Sequence, residues 1–252
     1  HLLYSRFFMR AIDYENKNFN IKEPFESLFT QGMVCHETYK DEKNNWLSPD
    51  EVEKIDGKFV EKKNNNKFVK VGPSESMSKS KKNVIDPEFI IENYGADAVR
   101  LFILSDSPPE KDVMWSEQGM VSSYKFIQKL WILHCETKNK ISVEYNEDDK
   151  KIEKFVNQMV AKITINLEKF NYNVIIANMY ETYNYLINYV KSEKNLKNLK
   201  KNYIKILLCF SPVIPHFASE CLEDIGFKHK FEWPEFNELL LGEEKINMVV
   251  QI

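Results

Sequence analysis

The chain has 252 residues, 43% of them hydrophobic and 29% charged, which suits one large or two ordinary globular domains and excludes a disordered or fibrous protein. No run of about 18 apolar residues occurs, so no membrane-spanning segment is expected. A net charge of −3 does not by itself point to nucleic acid.

Cys35, Cys135, Cys209 and Cys221 form no CxxC pair, and Cys221 lies twelve residues from its nearest neighbour. That spacing argues against a structural zinc site or a disulfide framework and makes a reducing cytoplasm the expected compartment. His1, His36, His134, His216 and His229 are too far apart to make a metal-ligand pair at helical spacing, and they read as partly buried polar residues. No metal site is expected.

The opening HLLYSRFFMR starts an apolar helical face at its first residue and lacks the features of a signal peptide, so it reads as a chain entered midway. A helix is predicted over residues 2–12, with a second, short one after Pro24. A strand is expected over 31–39. Asp56-Gly57 between β-prone runs predicts a two-residue hairpin, and residues 68–71 add a further strand. Asp86-Pro87-Glu88 supplies an N-cap, a proline at the first helical position and an acid in the first turn of a helix that Gly95 stops. Residues 96–104 resume as a helix with Val99, Phe102 and Ile103 inward, ending before Pro108-Pro109.

From Ser116-Glu117 onward the period is helical throughout. Five amphipathic stripes follow. The first runs through Val121, Tyr124, Ile127 and Trp131. The second carries Ile152, Phe155, Val156, Met159, Ile163 and Leu167. A third takes Ile176, Tyr180, Tyr183, Ile187 and Val190, and a fourth Leu199, Tyr203, Ile206, Leu207 and Phe210. The last begins near Pro215 and stops at Gly226. Short polar connections between them predict a helical bundle. The change of character falls near 107–116, giving domains over 1–110 and 111–235 and a partial segment over 236–252.

Charge is unevenly spread. Residues 62–82 hold seven lysines against one acid and residues 191–205 six against one, whereas 218–246 hold eight acids against three lysines. Two basic patches in an otherwise acidic chain can follow a phosphate backbone, although 32 lysines to 3 arginines make lysine clusters common here.

Residues 74–86, SESMSKSKKNVID, carry the chemistry. Lysines separated by small hydroxyl residues, just before a capped helix, make a loop whose ammonium and hydroxyl groups can close on phosphate oxygens. The surroundings make the cluster specific: Met77-Ser78-Lys79-Ser80, then Asn83, Asp86-Pro87, Tyr94-Gly95-Ala96-Asp97 and Arg100-Leu101-Phe102. In this order the segment resembles the class I aminoacyl-tRNA synthetases, whose second signature is KMSKS. His1-Leu2-Leu3-Tyr4 with Arg6-Phe7, Gln31-Gly32-Met33-Val34, Trp46-Leu47-Ser48-Pro49, and Ser107-Pro108-Pro109 with Trp115-Ser116-Glu117 look like the leucyl-tRNA synthetase family. Ser211-Pro212, Pro215-His216, Trp233-Pro234 and Val249-Val250-Gln251 continue the likeness, which covers essentially the whole chain.

The resemblance implies an α/β then all-α protein: the second half of a Rossmann-like nucleotide-binding catalytic domain followed by an α-helical anticodon-binding bundle. It implies leucine-tRNA ligase chemistry with ATP and Mg2+, with leucine and tRNA(Leu) as partners, in a full-length form expected to be monomeric. Lys79 matches the second lysine of the signature and would stabilise the leaving pyrophosphate, with Ser78 and Ser80 orienting the loop and Met77 packing it. Gln31, Gly32, Met33 and His1 would line the ATP side, and Lys81, Lys82, Arg100 and Trp115 would face tRNA. The chain departs from the pattern at Ser76, where the signature has its first lysine, and it contains no HIGH signature, so the expectation is a fragment inactive alone. Valyl, isoleucyl or methionyl specificity, and a non-catalytic helical RNA-binding module, remain as alternatives.

Overall fold

The computed structural model describes residues 2–16, 23–141, 150–192 and 198–242, which fall into two units, residues 1–31 and 32–252. His1 and the Val249-Val250-Gln251 stretch lie outside the described residues.

In the first unit, α1 (Leu2–Glu15) runs three residues past the expected end. Arg6 Nε and Arg10 Nη2 donate to the Glu23 carboxylate at 2.8 and 2.7 Å, and these bonds hold its pKa down at about 2. The helix expected after Pro24 is absent, since residues 23–31 contain neither helix nor strand. A proline suited to a first turn does not offset the cost of nucleating a helix of so few residues.

In the second unit, β1 (Val34–Lys40) is followed by β2 (Trp46–Leu47), a 3-10 turn (Pro49–Glu51), β3 (Val52–Ile55), β4 (Lys58–Glu61), β5 (Asn64–Phe68) and β6 (Lys70–Ser76). The expected hairpin is formed at β3 and β4, where Asp56 and Gly57 both have positive φ, 47° and 82°, the type I′ turn whose twist suits a two-residue connection. β6 pairs antiparallel with β1 from Cys35↔Ser76 to Lys40↔Lys70, with an irregularity at Glu37/Thr38. There the strands approach closely, because a Cβ on Gly72 would lie 2.4 Å from Thr38 Oγ1.

Two helices follow. α2 (Pro87–Tyr94) is capped by Asp86, whose carboxylate accepts from the Glu88 N–H, and Gly95 at φ 80° separates it from α3 (Ala96–Ser105). β7 (Val113–Met114) then returns to the sheet and pairs parallel with β1, so the sheet is mixed. Among the described residues five helices follow, α4 (Glu117–Ile141), α5 (Lys150–Glu168), α6 (Tyr172–Lys191), α7 (Leu199–Phe210) and α8 (Pro215–Asp224), with a 3-10 turn (Glu238–Leu240) beyond them. A mixed sheet followed by a helical bundle is the expected fold class.

The helices bury Ile152, Val156, Ile163, Ile175, Met179, Ile206, Leu207 and Leu222 in one core, to which α3 contributes Leu101. A smaller core joins Ala98, Phe102, Val113 and Met120, with Trp115 edge-on to Phe102 at 5.3 Å. α3 thus serves both. Asp97 on α3 accepts from the His216 and Phe217 N–H groups at 3.3 and 2.6 Å, and Arg100 donates to the Val213 and Pro212 carbonyls at 3.0 and 2.7 Å. One turn of α3 therefore satisfies backbone groups at the start of α8, whose own N-cap position, Ile214, offers no side chain for the purpose.

Within the bundle His134 is fully buried between Tyr203 Oη and Asp224 Oδ2, both at 3.0 Å. Lys138 first and His134 second, by hydrogen bonding to it, hold the Asp224 carboxyl below its ordinary pKa. The sequence reading of His134 as a partly buried polar side chain understates this burial. No helix among the described residues is long and apolar enough to cross a membrane.

Candidate functional site

The basic loop leaves the end of the β1–β6 ladder, where Met77 N–H donates to the Val34 carbonyl at 3.1 Å. Its conformation is set by Asn83, which is fully buried. The Asn83 Oδ1 accepts from the Ser78 N–H at 2.8 Å, and its Nδ2 lies 3.2, 3.1 and 3.5 Å from the carbonyls of His36, Glu75 and Ser76. Residues 78 and 83 are thereby tied together and to both strands. Between them Ser78 Oγ and Ser80 Oγ are 3.2 Å apart, Lys82 N–H donates to the Lys79 carbonyl at 3.3 Å, and Lys82 takes φ 53°.

The three cations of the loop are not equivalent. Lys81 is ion-paired with Glu75 on β6, and Lys82 Nζ is 3.9 Å from Glu51. The Ser48 N–H, then its hydroxyl and the Lys82 charge, hold the Glu51 carboxyl below its usual pKa against the opposing effect of burial. Lys79 is exposed and has no ion pair among the described residues. Ser76, at the signature's first lysine position, closes β6 opposite Cys35 and is exposed.

Gly32 and Met33 lead into β1 beside the segment that carries β7. Gly32 N–H donates to the Pro109 carbonyl and Met33 N–H to Asp112 Oδ1, each at 2.8 Å. A Cβ at Gly32 would lie 2.1 Å from the Lys111 carbonyl oxygen, so only glycine fits this approach. Met33 is 54% exposed. Trp115 N–H donates to the Cys35 carbonyl at 2.8 Å, and its half-buried ring borders a cavity of about 580 Å³ with Asp50, Lys62, Asp86, Phe89 and Glu117.

Of the residues singled out in the sequence, Met77, Ser78, Lys79, Ser80, Lys81 and Lys82 thus share one loop. Gln31 belongs to the first unit, His1 lies outside the described residues, and Arg100 sits at the α3–α8 joint with its guanidinium on backbone carbonyls. The sequence reading did not single out Asn83, Glu75, Glu51 or Asp112 as site residues. Glu51 and Asp112 meet partners distant in the chain, Lys82 and Met33, whereas Glu75 and Asn83 flank the signature, one residue before it and three after it, and carried the local signal. No three His, Cys, Asp or Glu side chains come together as a metal site among the described residues.

Comparison with known proteins gives this geometry its context. Residues 64–116 match the family model described as tRNA synthetases class I (I, L, M and V), and residues 149–252 match the anticodon-binding domain of tRNA ligase. The leucine-tRNA ligase of Ehrlichia chaffeensis is 39% identical over 260 residues, and that of Rickettsia canadensis 41% over 260, each alignment covering 100% of this chain and 30% of the relative. Among solved structures, the agnB2 LeuRS of Agrobacterium radiobacter, in a ternary complex with tRNA and LeuAMS, aligns with a TM-score of 0.67 at 22% identity, over 97% of this chain and 28% of that one. The chain spans about 30% of the length of the curated relatives it matches, and over all of its own length it belongs to the leucine-tRNA ligase family of class I tRNA synthetases.

Proposed function

We propose that this chain supplies the pyrophosphate side of the adenylate-forming site of a leucine-tRNA ligase, together with the helical domain that holds tRNA(Leu). The observation that carries the reading is Lys79: an exposed ammonium without an ion pair among the described residues, on a loop anchored at both ends, in the position of the signature's second lysine. In the reaction a leucine carboxylate oxygen attacks the α-phosphorus of ATP. The bond from that phosphorus to the bridging oxygen breaks, its electron pair leaves with pyrophosphate, and a terminal ribose hydroxyl of the tRNA later takes the leucyl group. Lys79 places positive charge where the leaving oxygens gain negative charge, while the Ser78 and Ser80 hydroxyls supply neighbouring donors. Gly32 and Met33 lie against the adenine in this reading, and Arg100 serves as a joint between helices.

Lys79→Ala in a full-length ligase carrying this segment is expected to slow leucine-dependent ATP–pyrophosphate exchange by about 10²-fold or more. Stability should hardly change, because the side chain is exposed. An unchanged exchange rate removes Lys79 from the mechanism and with it the basis of this reading.

A further inference from the structure

We infer that Asn83 is a positioning residue for adenylate formation: its buried amide is the latch that fixes the basic loop so that Lys79 is presented in one place. The inference rests on the proposed role of Lys79 and goes beyond it. Asn83 is completely buried, and its amide bonds the loop and both strands the loop springs from. Its two ends do different things. The carbonyl oxygen takes the N–H of Ser78, the residue just before Lys79. The amide nitrogen reaches the carbonyls of His36 on β1 and of Glu75 and Ser76 on β6, the last residues of the ladder before the loop. A single rigid side chain therefore ties the first turn of the loop to both strands of the sheet.

The flanking ion pairs cannot do this alone. Lys81 with Glu75 and Lys82 with Glu51 join half-exposed flexible side chains, which water weakens and which leave the backbone at Ser78 unfixed. Without Asn83 the loop keeps its charges and loses its place. Position matters because misplacing a catalytic group by about 1 Å can cost about 10²-fold in rate.

The test is leucine-dependent ATP–pyrophosphate exchange in the full-length ligase with Lys79→Ala, Asn83→Ala and the two combined, read as a double-mutant cycle. Asn83→Ala should slow exchange about 10- to 10²-fold and leave the KM for leucine within about twofold. It should add less than about twofold to the loss already caused by Lys79→Ala, since the latch acts through that lysine. A packing role would give losses that multiply. Asn83→Asp guards against collapse of the alanine variant: it keeps the shape and the acceptor for Ser78 but presents oxygen to three carbonyls, and it should lose exchange as the alanine variant does. Multiplying losses, a wild-type rate in Asn83→Ala, or a wild-type rate in Asn83→Asp overturns the latch while leaving Lys79 in place. An inert Lys79→Ala instead overturns the functional reading beneath it.

Discussion

Ser76 stands where the signature has its first lysine, one cation fewer in a loop that must meet the several charges of a polyphosphate. Lys81 is the nearest replacement, and it is held by Glu75, the residue before Ser76. Both side chains are more than a third exposed, 38% and 35%, so the pair contributes under about 1 kcal/mol and yields readily to a phosphate. On this account the lost charge is already supplied. Ser76→Lys should change the exchange rate by less than about tenfold, whereas replacing Lys81 and Lys82 together by glutamine should lower it by more than that. A rise of about 10²-fold in Ser76→Lys would mean that the natural loop is impaired rather than compensated. The lysines, serines and their spacing were legible in the sequence because a signature is local. The restraint by Glu51 was not, since Glu51 meets Lys82 only once the chain has passed through four further strands.

At the scale of elements, α3 is the piece on which two others depend. Asp97 supplies the N-terminal acceptor that α8 lacks, and it does so from 119 and 120 residues away. Asp97→Ala should leave the His216 and Phe217 N–H groups without that acceptor, costing about 1–3 kcal/mol, while Asp97→Asn, which keeps one carbonyl oxygen, should cost less. Urea unfolding monitored by helical circular dichroism measures the difference, and equal midpoints for wild type and alanine variant would rule out the cap. The same helix explains a misreading of α4. Its period predicted Val121, Tyr124, Ile127 and Trp131 as the inward stripe, yet the buried face is Met120, Ser123, Phe126, Leu130, Leu133, His134 and Thr137, and Trp131 is 41% exposed. α4 packs against α3 on one side and against the bundle on another, so Tyr124 and Ile127 are half-buried on the smaller core while the deeper stripe lies one residue away. A helix with two partners has two apolar stripes, and periodicity alone does not say which is deeper. On α7, Leu199, Tyr203, Ile206, Leu207 and Phe210 are all buried as the spacing predicts, and Leu208 and Cys209 are buried beside them.

Across the whole molecule the two halves should behave differently when the 252 residues stand alone. Adenylate formation needs ATP and leucine held with their reacting atoms about 3 to 3.5 Å apart, which takes binding groups on both sides of the nucleotide. This chain provides the signature loop but no HIGH sequence, over about 30% of the relatives' length. Purified alone, it should give no leucine-dependent pyrophosphate exchange, and measurable leucyl-adenylate would refute that. The helices α4 to α8, with Leu101 of α3, close a core of their own, so the bundle should stay folded. Its exposed Lys191, Lys200 and Lys201 lie in the second basic patch of the sequence. Phosphate contacts by such lysines release counterions, and the resulting affinity depends steeply on salt. The isolated chain should therefore bind tRNA weakly, with affinity falling about tenfold or more between roughly 50 and 200 mM salt. Filter binding across that series measures the slope, and binding that is absent, or unchanged by salt, would take these lysines out of the tRNA interface.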